Sequence, residues 1–356
     1  MRKSFTLLKI KNMTVKNRIL RSATMENMAD PEGFVTGEIL KLYSGLAGGG
    51  TGLIVTGACA VEKSGRVWDR QLSAWDDKYI KGLEQIAEVV RRYGSGCKCA
   101  VQLHHGGVSG YGYSYGAQGT RHALSDLTGE EIKGAIKAFG EAALRIKKSG
   151  FDAVAVHGAH GYLVSQFLSP VTNNRTDQWG GGLNNRIRFA LEVCYAVREK
   201  TGEEMPLLWK INCDDYIEGG QGIEEYGEAA RRLAEAGVDL VEISGGLKDQ
   251  VKLRAGLKHQ AGGGEAYFRH AVKPFKEALG EKPLAVTGGI RSLQVMEELL
   301  NEGADLVGIS RPLIFEPDLP SRFLANSKQK TAGCVSCNKC LLGIAGGPLR
   351  CVEFNK

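Results

Sequence analysis

The chain has 356 residues, 43% hydrophobic and 24% charged, with 46 Lys and Arg against 40 Asp and Glu for a net charge of +6. That composition excludes a disordered, collagen-like or coiled-coil protein. The basic residues are dispersed and give no footprint for nucleic acid, and no stretch reaches the roughly 18 uninterrupted apolar residues of a membrane span.

The N-terminal stretch MRKSFTLLKIKN begins basic, but Lys9 and Lys11 break any apolar run. No signal peptide is expected there, and the expected location is cytoplasmic. Ile19, Leu20, Arg21 and Ser22 open a series of eight short apolar runs. The others are LIVTGA, CAVQL, AVAVHG, LLWKIN, LVEISG, LAVTGG and LVGISR. Short, near-continuous apolar runs are the mark of strands buried on both faces.

One kind of joint recurs before these runs, at residues 46–55, 147–156, 233–243 and 300–309. An amphipathic helix ends, a Gly supplies a left-handed cap, and the chain turns into the apolar run. Helices are predicted over residues 128–149, 185–200, 224–236 and 292–302. Thr128 and Glu131 form a capping box at the first of them. Eight strands alternating with helices predict an α/β protein, a (β/α)8 TIM barrel, over residues 1–320. A doubly wound open sheet is the alternative, and it needs a glycine-rich first turn near residue 25 that is not there. From Glu316 onward Pro, Gly and Cys accumulate, so residues 321–356 read as a short Cys-rich C-terminal extension.

In a barrel the strand ends converge on one face, where the active site lies. His157 and His160 follow the fourth strand, and both can aim at one substrate oxygen and stabilise charge developing there. Tyr162 can then deliver a proton. The bland alternative is a structural His beside a packed Tyr. A metal reading of the pair lacks a nearby carboxylate. Gln102 on the third strand can donate and accept at the edge of a heterocycle. Lys210 lies inside an apolar strand, so it meets either a carboxylate or an anionic ligand; the ligand is the expectation. Gly288 and Gly289 after the seventh strand, with Ser310 and Arg311 after the eighth, occupy the corner where barrels commonly bind phosphate.

The nine cysteines are odd in number, which argues against a disulfide framework. Four of them, Cys334, Cys337, Cys340 and Cys351, are spaced x2, x2 and x10. Four thiolates so spaced suit an iron–sulfur cluster or zinc. An empty site is the competing reading.

Together these motifs resemble the Old Yellow Enzyme family, the FMN-dependent NADH:flavin oxidoreductases, over about residues 5–317. The resemblance rests on Lys16, Asn17, Arg18 and Ile19, on Gln102, and on His157, His160, Gly161 and Tyr162. It continues through Phe167 to Pro170, Asn174 to Asp177, Gly180 and Gly181, and ends in Asn185, Arg186, Arg188 and Phe189. It implies that Gln102 binds the flavin pyrimidine and that Lys210 stands near flavin N1 and O2, where a cation stabilises an anionic reduced flavin. Ala58 would lie beside the ring, and Gly288, Gly289, Ser310 and Arg311 would hold the phosphate. His157 and His160 would anchor a substrate carbonyl oxygen. Tyr162 would protonate the α-carbon while hydride reaches the β-carbon. Where the family often has Pro and then Thr or Cys, this chain has Ala23, Thr24 and Met25, so a thioether takes the flavin-tuning position.

The cysteine motif resembles that of the larger members 2,4-dienoyl-CoA reductase, clostridial enoate reductase and trimethylamine dehydrogenase, which implies a [4Fe–4S] cluster. Electrons would come from NAD(P)H directly or from a ferredoxin-like donor. The expected activity is that of an ene-reductase acting on a small-molecule α,β-unsaturated carbonyl compound, in a homo-oligomer. Two alternatives stand beside it. One is an amine dehydrogenase or demethylase of the trimethylamine dehydrogenase type, with an aromatic cage drawn from Trp68, Trp75 and Trp179. The other is an RNA-modifying flavin barrel, which the dispersed charge disfavours. Residues 106–119, rich in Gly, Tyr and Ser, are expected to line the entrance.

Overall fold

The computed structural model describes residues 2–107, 123–247, 264–325 and 328–353. Most of the expected entrance loop, from residue 108 on, therefore lies outside the described residues. Eight parallel strands form the centre: β1 Ile19–Arg21, β2 Leu53–Ala60, β3 Lys98–His104, β4 Ala153–Gly158, β5 Leu207–Asn212, β6 Leu240–Ser244, β7 Leu284–Thr287 and β8 Leu306–Ile309. Each pairs with the next, and β8 returns to β1 through Val307 opposite Ile19, so the sheet closes into a barrel. Helices α1 Gly37–Gly48, α2 Ile80–Gly94, α3 Gly129–Lys148, α4 Arg188–Thr201, α5 Ile223–Glu235, α6 Val272–Leu279 and α7 Leu293–Asn301 alternate with the strands. The capping box forms as expected: Thr128 Oγ1 accepts from Glu131 N at 3.2 Å, and Glu131 Oε2 accepts from Thr128 N at 2.9 Å. The helix expected over 185–200 is two pieces, Leu183–Arg186 and α4, with Ile187 between them.

Two separate apolar clusters sort the strand residues by face. Ile54, Val101, Val154, Val156, Trp209, Ile211, Val241, Ile243 and Val286 pack outward on the helices. Leu20, Leu53, Val55, Ala100, Ala153, Ala155, Leu208, Leu240, Ala285 and Leu306 fill the lumen. Alternation along a strand has a period of two, so the inward series continues upward to Gln102, His157, Lys210, Glu242 and Thr287. A bulge in β2 between Val55 and Ala58 keeps Ala58 opposite Gln102. A hairpin the sequence reading did not foresee, Leu8–Ile10 with Met13–Val15, supplies Ile10, Met13 and Val15 to the same cluster and plugs the opposite mouth.

Beyond β1 the chain is held by a buried polar network. Arg21 donates to the carbonyls of Ser22 at 3.0 Å, Val55 at 3.3 Å and Thr24 at 3.4 Å. Glu26 Oε1 accepts from Gly57 N at 2.6 Å and from the Tyr43 hydroxyl. Gly57 permits this approach, because a Cβ there would stand 2.1 Å from Glu26 Oε2. Burial pushes the Arg21 guanidinium below its ordinary pKa and the Glu26 carboxyl above its own. The tail packs on the same segment, with Leu349 N donating to Glu26 O at 2.7 Å. Among the described residues, no helix is long and apolar enough to cross a membrane.

The raised Glu26 pKa has a signed consequence. Below the ordinary carboxyl value both folded and unfolded chains hold the proton, and the contribution is constant. As pH climbs from there through the folded value, the unfolded chain releases its proton first and the wild type loses stability. Glu26→Gln keeps an acceptor for Gly57 and does not titrate. Denaturant unfolding at about pH 4 and about pH 8 is expected to show the stability difference moving in favour of Gln at the higher pH. A difference that does not change with pH would contradict it.

Candidate functional site

The C-terminal ends of the strands surround a cavity of about 200 Å³ that contains Lys210, Gly288, Gly289, Ser310, Arg311 and His160 in its lining. Gly288 and Gly289 both adopt left-handed backbone, with φ of 112° and 73°. These conformations suit Gly and leave the turn without side chains. Thr24 reaches this corner from β1, its Oγ1 bonded to Ser310 Oγ and donating to Ser22 O at 3.1 Å. Met25, next in the chain, is half-buried.

Lys210 departs from expectation. It meets a carboxylate: its Nζ lies 3.1 Å from Glu242 Oε1 and donates to Ser22 Oγ at 2.8 Å. Ser22 Oγ in turn donates to Glu242 Oε1 at 2.6 Å. The reason is register, since Lys210 on β5 pairs directly with Glu242 on β6, both facing inward. The two side chains are 3% and 5% exposed. An isolated ammonium at that depth is too costly to bury, and the carboxylate removes the need for a ligand to neutralise it. Lys210 still lines the cavity, so the pair places a fixed ammonium at its wall.

The histidine–tyrosine group assembles as the spacing implied. His157 lies beside Lys210 in register. Its ring centroid is 5.1 Å from those of both His160 and Tyr162. His160 turns with φ 66°, its N–H donating to Asn212 Oδ1 at 3.1 Å and its Nε2 paired with Ser244 Oγ at 2.7 Å. His104, which sequence reasoning passed over, stands edge-on to Tyr162 at 4.5 Å. The Gln71 amide Nε2 lies 3.1 Å from His104 Nδ1. An amide nitrogen only donates, so Nδ1 accepts and the proton of a neutral His104 is on Nε2. The available signal was parity: His104 is the next inward position after Gln102. Its neighbour His105 faces away and pairs with Glu62 at 3.1 Å. Of the three tryptophans, Trp68 reaches the group, 6.1 Å from Tyr162. Trp75 packs on Tyr79 and Trp179 on Phe167.

Gln102 is 3% exposed, and among the described residues its side-chain Nε2 has no hydrogen-bond partner. A buried donor without an acceptor is expensive. A planar heterocycle laid against Ala58 and Ala155, its register neighbours, would offer that acceptor without clashing with large side chains. The residues present therefore fit a flavin.

All nine cysteines are free thiols. Cys334, Cys337, Cys340 and Cys351 line one cavity of about 180 Å³. Burial raises the pKa of Cys334 and Cys340. Among the described residues, no group of three or more Cys, His, Asp or Glu side chains is drawn together closely enough to hold a metal ion. The donor set has the right chemistry for a thiolate-ligated centre, and the four residues line one cavity.

A family model described as the NADH:flavin oxidoreductase / NADH oxidase family matches residues 3–330. An NADH oxidase of Thermoanaerobacter brockii is 33% identical over 354 residues, covering 95% of this chain and 53% of that protein. An NADPH dehydrogenase of Bacillus cytotoxicus is 34% identical over 324 residues, covering 89% and 90%. The structure of 2-naphthoyl-CoA reductase with 2-naphthoyl-CoA superposes with a TM-score of 0.88 at 26% identity, over 99% of this chain and 57% of that one. The chain thus spans about half the length of the first and third of these.

The buried pair generates a double-mutant test. Lys210→Met alone strands the Glu242 charge and is expected to cost about 3–5 kcal/mol in urea unfolding. Lys210→Met combined with Glu242→Leu should recover most of that loss. Simple additivity of the two single losses would show that the residues do not interact.

Proposed function

The chain belongs to the NADH:flavin oxidoreductase / NADH oxidase family, and from that premise we propose that it reduces the activated C=C bond of an α,β-unsaturated carbonyl compound at the expense of NAD(P)H. When bound, FMN would supply two-electron hydride chemistry between NAD(P)H and the substrate. Gln102 would hold its pyrimidine edge, with Ala58, Thr24 and Met25 beside the ring. Lys210, fixed by Glu242 and Ser22, would present ammonium N–H donors on the pyrimidine side. Gly288, Gly289, Ser310 and Arg311 would hold the phosphate.

The observation that carries this reading is the convergence of His160 and Tyr162, each in ring contact with His157, at the end of β4, the strand between those of Gln102 and Lys210. Two imidazoles donating to one carbonyl oxygen stabilise the negative charge that collects there as the β-carbon gains hydride. The Tyr162 phenol then delivers a proton to the α-carbon, which completes addition of H⁻ and H⁺ across the double bond. The similar 2-naphthoyl-CoA reductase has in its name an acyl thioester whose carbonyl is conjugated to ring C=C bonds, which supports the substrate class.

The four cysteines are read as ligands of an iron–sulfur cluster, with zinc as the alternative occupant. Their support is the shared cavity and the x2, x2 spacing. A cluster would supply one-electron transfer, the chemistry a ferredoxin-like donor needs.

Two outcomes follow. In stopped-flow kinetics, Tyr162→Phe is expected to slow reoxidation by an enone about 10²- to 10⁴-fold and to leave reduction by NAD(P)H near the wild-type rate. Equal loss in both half-reactions would remove Tyr162 from the proton-donor role. Cys337→Ala should lose the iron, sulfide or zinc found in anaerobically purified wild type; a wild type free of all three would end the metal reading.

A further inference from the structure

The Cys-rich tail is built into the wall of the flavin cavity. Ser336, Asn338 and Leu341 line the same space as Gly289 and Arg311. Asn338 Oδ1 accepts a hydrogen bond from Arg311 Nη1, while Arg311 Nη2 reaches the Tyr267 hydroxyl at 3.5 Å. Arg311 also lines the adjoining cavity with the four cysteines. One guanidinium is therefore the partition between two sites, and the residue that orients it lies directly after Cys337. Two further anchors tie the tail to the segment following Met25. Leu349 N donates to Glu26 O at 2.7 Å. Asn27 Nδ2 donates to the carbonyls of Ile344 at 2.8 Å and Gly347 at 3.0 Å.

We propose that the tail loop over residues 336–341 is part of the FMN site: Asn338 aims Arg311 at the cofactor phosphate, and the cysteine cavity and the flavin cavity form one linked binding unit. The proposal rests on the FMN reading above. Its physical content is preorganisation. Arg carries five N–H donors in a rigid fork. Clamping part of that fork with a neutral amide fixes its direction without cancelling its charge, so less side-chain freedom is lost when a phosphate binds. A carboxylate at the same position would hold Arg311 equally well but neutralise it. Linkage then works both ways: whatever orders the cysteine loop tightens FMN, and FMN orders the cysteine loop by the same factor.

The test is FMN titration of the full-length apoprotein, followed by quenching of flavin fluorescence, so no turnover is required. Asn338 has φ 61°, and Asn338→Gly removes the amide while keeping that backbone accessible. Loss of a hydrogen bond to a charged group is expected to raise the FMN Kd roughly ten- to a hundredfold. Asn338→Asp should weaken FMN at least as much, and Cys337→Ser should weaken it in the same direction. Circular dichroism and thermal melting of each variant separate folding from binding; if Asn338→Gly does not fold, Asn338→Asp decides. A Kd less than about threefold above wild type in the folded Asn338 variants overturns the proposal and leaves the FMN reading standing. Failure of the wild type itself to bind FMN overturns that reading, and the proposal with it.

Discussion

Two opposite charges, Lys210 and Glu242, are buried side by side on neighbouring strands, and the upper lumen is arranged around the cost of keeping them there. Withdrawing each ion from water costs several kcal/mol. Their 3.1 Å contact and the Ser22 hydroxyl bridging both offset that cost. The pair needs a polar layer above the Ala and Leu layers, and that layer is where Gln102, His157 and Thr287 also point. An apolar filling of the same space would give a sealed barrel with no site.

The lumen then reads as a graded stack. The N-terminal hairpin closes one mouth with Ile10, Met13 and Val15. Ala100, Ala153, Ala155 and Ala285 follow as small residues that leave space overhead. Above them come Gln102, whose Nε2 lacks a partner among the described residues, and the fixed ammonium beside His157, and then the His160 and Tyr162 rings. Carbonyl activation and proton delivery need rigid donors aimed from one side. In the proposed role that aim would come from backbone held in place: His160 sits in a left-handed turn tied to Asn212 and Ser244. On the far side Arg311 and Asn338 join the barrel to its tail.

Much of this was legible in the sequence because closely similar local pressures act on each repeat. Eight apolar runs mark eight strands, since both faces of every barrel strand are buried. The Gly-ended helices mark the turns, and His157, His160 and Tyr162 are close enough in sequence to imply one site. What escaped depends on contacts that exist only after closure. Glu242 is an acidic residue in an apolar run, and nothing local says that it faces Lys210; strand register decides it. His104 stands in a His–His doublet, and only inward parity separates it from His105. The hairpin plug is too short and too mixed in polarity to announce itself. Asn338 meets Arg311 from 27 residues away, with no periodicity to signal it.

The central claim is that this lumen is a flavin site, and the most direct test is the absorption spectrum of the purified protein, followed by identification of any cofactor released on denaturation. The account predicts the bands of oxidised flavin and release of FMN in equimolar amount, with the bands bleaching when NADH or NADPH is added without oxygen. A colourless protein that neither binds added FMN nor restores those bands would contradict it.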